Sequence, residues 1–361
     1  MGARSIYSPI LPLIEDEFMV RHAQASSVFV FLSIGYAISV FLAGLYSGRL
    51  GYKKTIALSL VITAVALFVT SFVKEFSAFY FFSFILGFAI GGYLPAAIPL
   101  ITEYFAENNW NKSIAIHDSA APIAIFCIPF IVLLILRFGT WRQAFEVYAA
   151  AFLISTVIFW WVSDEVKIAS SKRIGLRVFF KMPSLWALNV VWILAVGGNM
   201  GFYLIVPLYL TKELSLSIEY ANSILGASRL GGIGVAVLFA LLIHRFNLRK
   251  IMFTMLLLSG IFTILTAVVP LRFISFSLFF QAIFVTGVFP LGLVILPRMF
   301  KEKTSMATGI ILTTSVIFGS GLIPYLLGVS GDLLSFRFGI SVLGILVCLS
   351  SLLILSLKEL R

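Results

Sequence analysis

The segment GLYSGRLGYKK, Gly44 to Lys54, joins two long apolar runs at about 26–48 and 54–73. A helix needs roughly 20 apolar residues to cross a hydrocarbon core about 30 Å thick. Each run meets that length, so the segment reads as a tight turn between two spanning helices. Its glycines let helices approach closely. Its cations, Arg49, Lys53 and Lys54, hold a short loop at an anionic membrane face.

The same pattern continues along the chain. Further apolar runs lie at about 76–101, 114–136, 143–163, 185–211, 219–243, 250–269, 273–297, 305–328 and 337–357. With the first two they make eleven full spans. The composition agrees: 61% of the 361 residues are hydrophobic and 11% charged, and the mean hydropathy is +1.09. Soluble domains carry about 25% charged residues, so a soluble enzyme and a disordered chain are both excluded. Barrel strands would be about ten residues long and would alternate in polarity; these runs are twice that and apolar on all sides.

The net charge of +11 is a matter of topology rather than of nucleic-acid binding. With alternate loops assigned to opposite sides, 17 of the 26 basic residues fall on one side and seven on the other. Arg4 and Arg229 remain inside spans. The richer side is expected to be cytoplasmic, which places the C-terminus inside, in a plasma (inner) membrane.

The two halves of the chain repeat. Gly92 and Pro95 align with Gly287 and Pro290 at an offset of 195, as do Phe105 with Phe300 and Pro12 with Pro207. At 196, Gly48 to Lys54 aligns with His244 to Lys250. Several matches in one register, each after the same number of spans, indicate a duplicated six-helix unit. An even span count keeps both copies in the same topological sense. The expected domains are 1–163, a cytoplasmic linker 164–184, and 185–361.

Gly44 to Lys54 resembles the signature of the loop between helices 2 and 3 in the major facilitator superfamily, G-x-L-a-D-R-x-G-R-K. Gly44, Arg49, Gly51, Lys53 and Lys54 fit it; Tyr46 stands where leucine is usual and Gly48 where aspartate is usual. Trp141, Arg142 and Phe145 resemble the WR-x-x-F start of helix 6, and Gly331-Asp332 with Ser335 to Arg337 resembles the entry to helix 12. The resemblance implies two pseudo-symmetric six-helix bundles, alternating access, and a loop that braces one conformation. Ser83 stands where proton-coupled members often carry an arginine. Ala121-Pro122-Ile123-Ala124 departs from the Gly-Pro signature of drug antiporters. Both departures argue against a multidrug exporter.

The first apolar run, Gly2 to Ile14, is too short to span. Under the repeat only the outer half of helix 1 is present, so the chain is expected to begin in mid-membrane, most simply through a late translation start. A half helix would leave backbone groups unsatisfied in hydrocarbon.

Intramembrane charge is costly and marks function by default. Arg4 lies about 16 Å inward from Glu15, and Arg229 about 15 Å into helix 8. One belongs to each half, near the depth where transporters of this architecture bind substrate. Together they could clamp a carboxylate or another oxyanion. The alternative is a structural role, with Arg229 bonded to carbonyls or to Asn199 or Tyr203. Those two residues share a helix face at i, i+4 and are expected to join the substrate site. Asp118, beside His117, could carry a coupling proton or pair with a loop cation such as Arg49. Pro122, Pro129, Pro207, Pro290 and Pro324 are expected to interrupt helices 5, 7, 10 and 11.

Cys127 and Cys348, and His22, His117 and His244, are too scattered for a disulfide framework or a metal site. No phosphate-binding loop or nucleophile–base motif is present, so neither an ATP-driven pump nor an enzyme is expected. No cofactor is implied. The expected partners are a small-molecule substrate, the lipid bilayer and a coupling ion, with the protein a monomer. The sequence thus describes an all-α polytopic secondary transporter, with an anion as its solute. Export of a neutral or amphiphilic metabolite, or an inactive or sensory relic, stand as alternatives.

Overall fold

The computed structural model describes residues 2–166, 182–235, 247–301 and 304–357, side chains at 44, 45, 111, 293 and 305 excepted. Among these residues every regular element is a helix. Ten stretches are long and apolar enough to cross a membrane. The span expected at 219–243 is described only as far as 235, and most of the linker expected at 164–184 lies outside the described residues. So do the basic residues Lys167, Lys172, Arg173, Arg177, Lys181, Arg245, Lys303, Lys358 and Arg361.

Side chains such as Phe41, Phe72, Phe81, Trp161, Val162 and Leu349 stand exposed on the helices. A water-soluble monomer does not present so much apolar surface; lipid is the solvent that accepts it. The contacts divide the chain into two compact units, Met1–Val20 with Ser27–Lys172, and Arg21–Ser26 with Arg173–Arg361.

The first unit holds α1 (Gly2–Ser5, then Tyr7–Phe18), α2 (Val28–Leu50), α3 (Tyr52–Thr70), α4 (Phe76–Gly91 and Tyr93–Tyr104), α5 (Trp110–Leu136) and α6 (Trp141–Val162). Its tightest crossing is α2 on α4. A Cβ on Gly35 would lie 2.1 Å from the Phe84 carbonyl oxygen, and one on Gly87 would lie 1.9 Å from that of Leu32. Only glycine permits backbones that close. The start of α6 ties the unit together. Trp141 Nε1 donates to Glu17 at 2.6 Å, and Arg142 pairs with the same carboxylate. Arg142 also donates to the Ser71 and Val73 carbonyls at 2.7 and 2.8 Å. Phe145 is fully buried against Tyr7, ring centroids 5.1 Å apart.

The second unit holds α7 (Pro183–Val196, Gly197–Gly201 and Phe202–Lys212), α8 (Ile218–Ser228, resuming over 230–235), α9 (Leu248–Val268), α10 (Ile274–Phe300), α11 (Thr304–Ile317, Phe318–Leu322 and Ile323–Leu333) and α12 (Phe336–Ser356). The short helix His22–Ser26 also belongs here. The carboxylate of Asp332 accepts from the His22 and Ala23 amides at 3.0 and 2.9 Å.

The helices do not break where the prolines stand. Pro122, Pro129, Pro207 and Pro290 all lie inside continuous helical stretches. The expected interruptions occur instead at glycines. Gly197–Gly201 and Phe318–Leu322 are π turns, with Pro324 following the second at the start of the resumed helix. The two turns pack on each other: a Cβ on Gly201 would lie 2.4 Å from the Gly319 carbonyl oxygen.

Candidate functional site

The π turn in α7 shapes the surroundings of Arg229. A π turn widens the helix and commonly marks a functional position. Here its carbonyls accept from outside the helix. Gln281 on α10 donates to Gly198 O at 2.8 Å, and Arg229 Nη2 donates to Asn199 O at 3.3 Å. Arg229 Nη1 also donates to the Asn199 side-chain oxygen at 2.7 Å, and the guanidinium lies 4.7 Å from the Tyr203 ring centroid. Arg229 is 6% exposed, and Asn199 and Tyr203 are buried with it. Three residues singled out from sequence therefore form one cluster. Among the described residues Arg229 pairs with no carboxylate, and its Nε has no hydrogen-bond partner. A buried cation held only by neutral groups keeps most of its desolvation cost, so an anion is its natural complement.

The first unit holds a counterpart. Arg4, 5% exposed, donates to Ser33 on α2 at 3.2 Å and lies 5.6 Å from the Tyr36 ring centroid. Shifting Arg4 by the repeat offset of 195 gives Asn199, and shifting Ser33 gives Ser228, the residue before Arg229. The two guanidiniums thus occupy the same helix–helix junction in each half. Which helix carries the arginine is exchanged: α1 in the first unit and α8 in the second. Ser33 was not legible as a partner, because no local pattern links residues 29 apart. The π turns left one trace, paired glycines inside apolar runs.

Asp118 lies elsewhere in the first unit. Its side chain is 52% exposed and accepts from His117 Nδ1 at 2.9 Å; that partner, and not Arg49, is the one observed. His117 Nε2 meets the Tyr93 hydroxyl at 3.1 Å.

The loop residues hold α3 to the end of α6. Lys53 donates to Ser163 O at 2.5 Å and sits 4.7 Å from the Trp160 ring, while Lys54 pairs with Glu165 at 2.9 Å. That pairing, led by the Lys54 hydrogen bond, holds the Glu165 carboxyl below its ordinary range. Gly51 has φ +89°, which an L side chain rarely adopts, so this glycine makes the turn. Gly44 lies within α2, six residues before its last residue Leu50, and Arg49 is exposed. A Cβ on Gly48 would meet nothing within 4 Å. Among the described residues no cluster of three His, Cys, Asp or Glu could hold a metal ion.

Helical units long and apolar enough to cross a membrane, with buried polar side chains at helix junctions, describe a multi-pass membrane protein. The Major Facilitator Superfamily model matches residues 1–246 and 193–360, and the chain belongs to that superfamily. NiaP of Bacillus subtilis, named a niacin/nicotinamide transporter, is 28% identical over 208 residues, 52% of this chain and 50% of that protein. SauU of Cupriavidus necator, named a sulfoacetate transporter, is 28% identical over 148 residues, 41% of this chain and 34% of that protein. The chain thus spans half or less of the length of these two relatives. The crystal structure of a D-xylose–proton symporter superposes with a TM-score of 0.81 at 14% identity, covering 98% of this chain and 93% of that one, which shows the fold.

Proposed function

We propose that this protein is a secondary active transporter of a small organic anion, moved by alternating access. The observation that carries the reading is Arg229, buried on the π turn of α7 with only neutral partners. Asn199 and Tyr203 aim the guanidinium, and an incoming carboxylate or sulfonate would replace part of what Asn199 now supplies. Arg4, with Ser33 and Tyr36, is the corresponding candidate for an anion contact within the first unit. The relatives support the solute class, since niacin carries one carboxylate and sulfoacetate a carboxylate and a sulfonate, each on a small frame. Asp118 belongs to a coupling-proton site. The positive bias of alternate loops supports a cytoplasmic C-terminus in a plasma (inner) membrane, and one chain is the working unit.

The test is a thermal-shift screen of the full-length protein with nicotinate, sulfoacetate and the neutral nicotinamide. A ligand at 100 times its Kd stabilises by about 2.7 kcal/mol, well within reach of the method. The acids are expected to raise the midpoint in the wild type and not in Arg229→Ala, with Arg229→Lys intermediate because an ammonium cannot bind bidentately. If both acids are inert, or stabilise Arg229→Ala equally, Arg229 is a structural clamp on the π turn. If nicotinamide alone stabilises, the solute is neutral.

A further inference from the structure

We propose that His117 is a proton-binding site, held between Tyr93 on α4 and Asp118 on its own helix, whose protonation reverses the hydrogen bond joining α4 to α5. This rests on the chain being a transporter and is independent of the anion reading.

Three polar groups form one chain here. The Asp118 carboxylate accepts from His117 Nδ1 at 2.9 Å, and His117 Nε2 lies 3.1 Å from the Tyr93 hydroxyl. The two rings are nearly parallel, 16° between planes with centroids 5.8 Å apart. Tyr93 packs against Ile56, Ala96, Ala97 and Leu100, so its ring is fixed. The carboxylate end is open, Asp118 being 52% exposed and His117 22%.

A neutral imidazole has one donor and one acceptor, whereas a carboxylate only accepts. Asp118 therefore requires the hydrogen on Nδ1. That leaves Nε2 as an acceptor, and the Tyr93 hydroxyl donates to it. When a proton from water forms an N–H bond at Nε2, the imidazolium donates at both nitrogens. The Tyr93 oxygen must then accept, and its hydrogen must turn to another partner. The Asp118–His117 pair goes from net charge −1 to zero. One proton thus changes the sense of the contact between two spanning helices. Histidine is the side chain whose ordinary titration falls near neutral pH.

Other titratable groups along these helices include Tyr46 on α2, whose hydroxyl would lie 2.6 Å from a Cβ on Gly92, and Lys112, five residues before His117. The elements packed on α5 are α1, α4, α6 and the turn at Glu107–Asn109. Glu107 and Glu103 each lie ten residues along their segments from His117 and Tyr93, about 15 Å in a helix. Gly2 of α1 meets Ile128 and Tyr148 of α6, eleven residues further along α5, so Arg4, Tyr7, Glu146 and Tyr148 belong to that distant end. The repeat does not reproduce the chain: an offset of 195 from His117 and Asp118 gives Leu312 and Thr313. The three groups are therefore no requirement of the repeated architecture.

Ring-¹⁵N histidine NMR of the full-length protein in lipid nanodiscs tests this directly and needs no substrate. The chain has three histidines, and His117→Gln assigns the signal. The wild-type signal, followed over a pH scan of the folded protein, is expected to be the Nδ1–H tautomer at the alkaline end and the imidazolium at the acid end. In Asp118→Asn the tautomer preference is expected to weaken, because an amide can donate as well as accept. In Tyr93→Phe the signal should still titrate but lose the shift that the hydroxyl imposes on Nε2. A His117 ring that stays in one protonation state across that scan overturns the proposal. So does a neutral form that is the Nε2–H tautomer, or titration identical in all three proteins.

Discussion

Arg142 and Arg229 show what a buried or half-buried cation means at the scale of one residue. Arg142 is charge-paired: the Glu17 carboxylate and the Ser71 and Val73 carbonyls take three of its five donors. Its role was legible only as a resemblance, the WR-x-x-F pattern, and the geometry supplies the reason. Trp141 and Arg142 share one acceptor, and Phe145 seats Tyr7. Glu17→Ala is expected to destabilise the protein by about 1–3 kcal/mol, because it strands the buried Trp141 N–H; thermal unfolding in detergent measures it. Arg229 has no such carboxylate, and its depth in an apolar run was enough to single it out. Asn199 and backbone carbonyls are among the partners that the alternative, structural reading of this arginine named. Lys54 and Glu165 mark the other extreme. The folded-state pKa of Glu165 is depressed, so the pair contributes at neutral pH and is lost as pH falls through that lowered value. Both partners are more than half exposed, and solvent screens such pairs. Lys54→Ala should therefore move the unfolding midpoint only slightly at pH 7, and by still less once the pH has fallen through the lowered Glu165 value.

Helices were the most legible elements, since length and apolarity alone define them in lipid. Irregular helix geometry was not legible. Proline was the expected breaker, yet four of the five prolines so named lie within continuous helical stretches, and the chain departs from α-geometry at Gly197–Gly201 and Phe318–Leu322. Glycine lowers the cost of a wide turn and lets two such turns touch. That contact joins residues more than 100 positions apart, so no local pattern encodes it. Two substitutions separate ordinary packing from this feature. Gly87→Ala drives a methyl into the Leu32 carbonyl on α2 and should lower stability by about 1–3 kcal/mol, the usual cost of overpacking. Gly201→Ala meets the Gly319 carbonyl at 2.4 Å, and relief requires α7 and α11 to separate at the Asn199 turn. It should therefore weaken nicotinate-induced stabilisation at least tenfold in apparent Kd, whereas Gly87→Ala should leave that Kd within about threefold. Equal losses in both variants would mean that the π turns are packing alone.

For the whole molecule, the sequence carries two independent records, the repeat and the charge bias. The repeat places Arg4 and Arg229 at equivalent junctions and predicts that both halves run in the same sense. The charge bias predicts an orientation, since 17 basic residues fall in alternate loops and seven in the others. Membrane insertion follows that asymmetry rather than net charge. A green fluorescent protein fused to the C-terminus should therefore fluoresce in a bacterial host, and an alkaline phosphatase fusion at the same point should be inactive. The opposite pair of results would invert every loop assignment. The same experiment bears on the α2–α3 turn. Lys53 and Lys54 are engaged with the end of α6 within their own unit, and Gly48 faces open space. Gly48→Asp places the family's usual acid there without a clash, so fusion topology and thermal midpoint should both be unchanged. If the acid acts as a brace, the variant should instead slow exchange transport of nicotinate at unchanged binding. A slower rate without a stability change separates a conformational role for this loop from simple anchoring, since an anchor already supplied by Arg49, Lys53 and Lys54 gains nothing from an added negative charge.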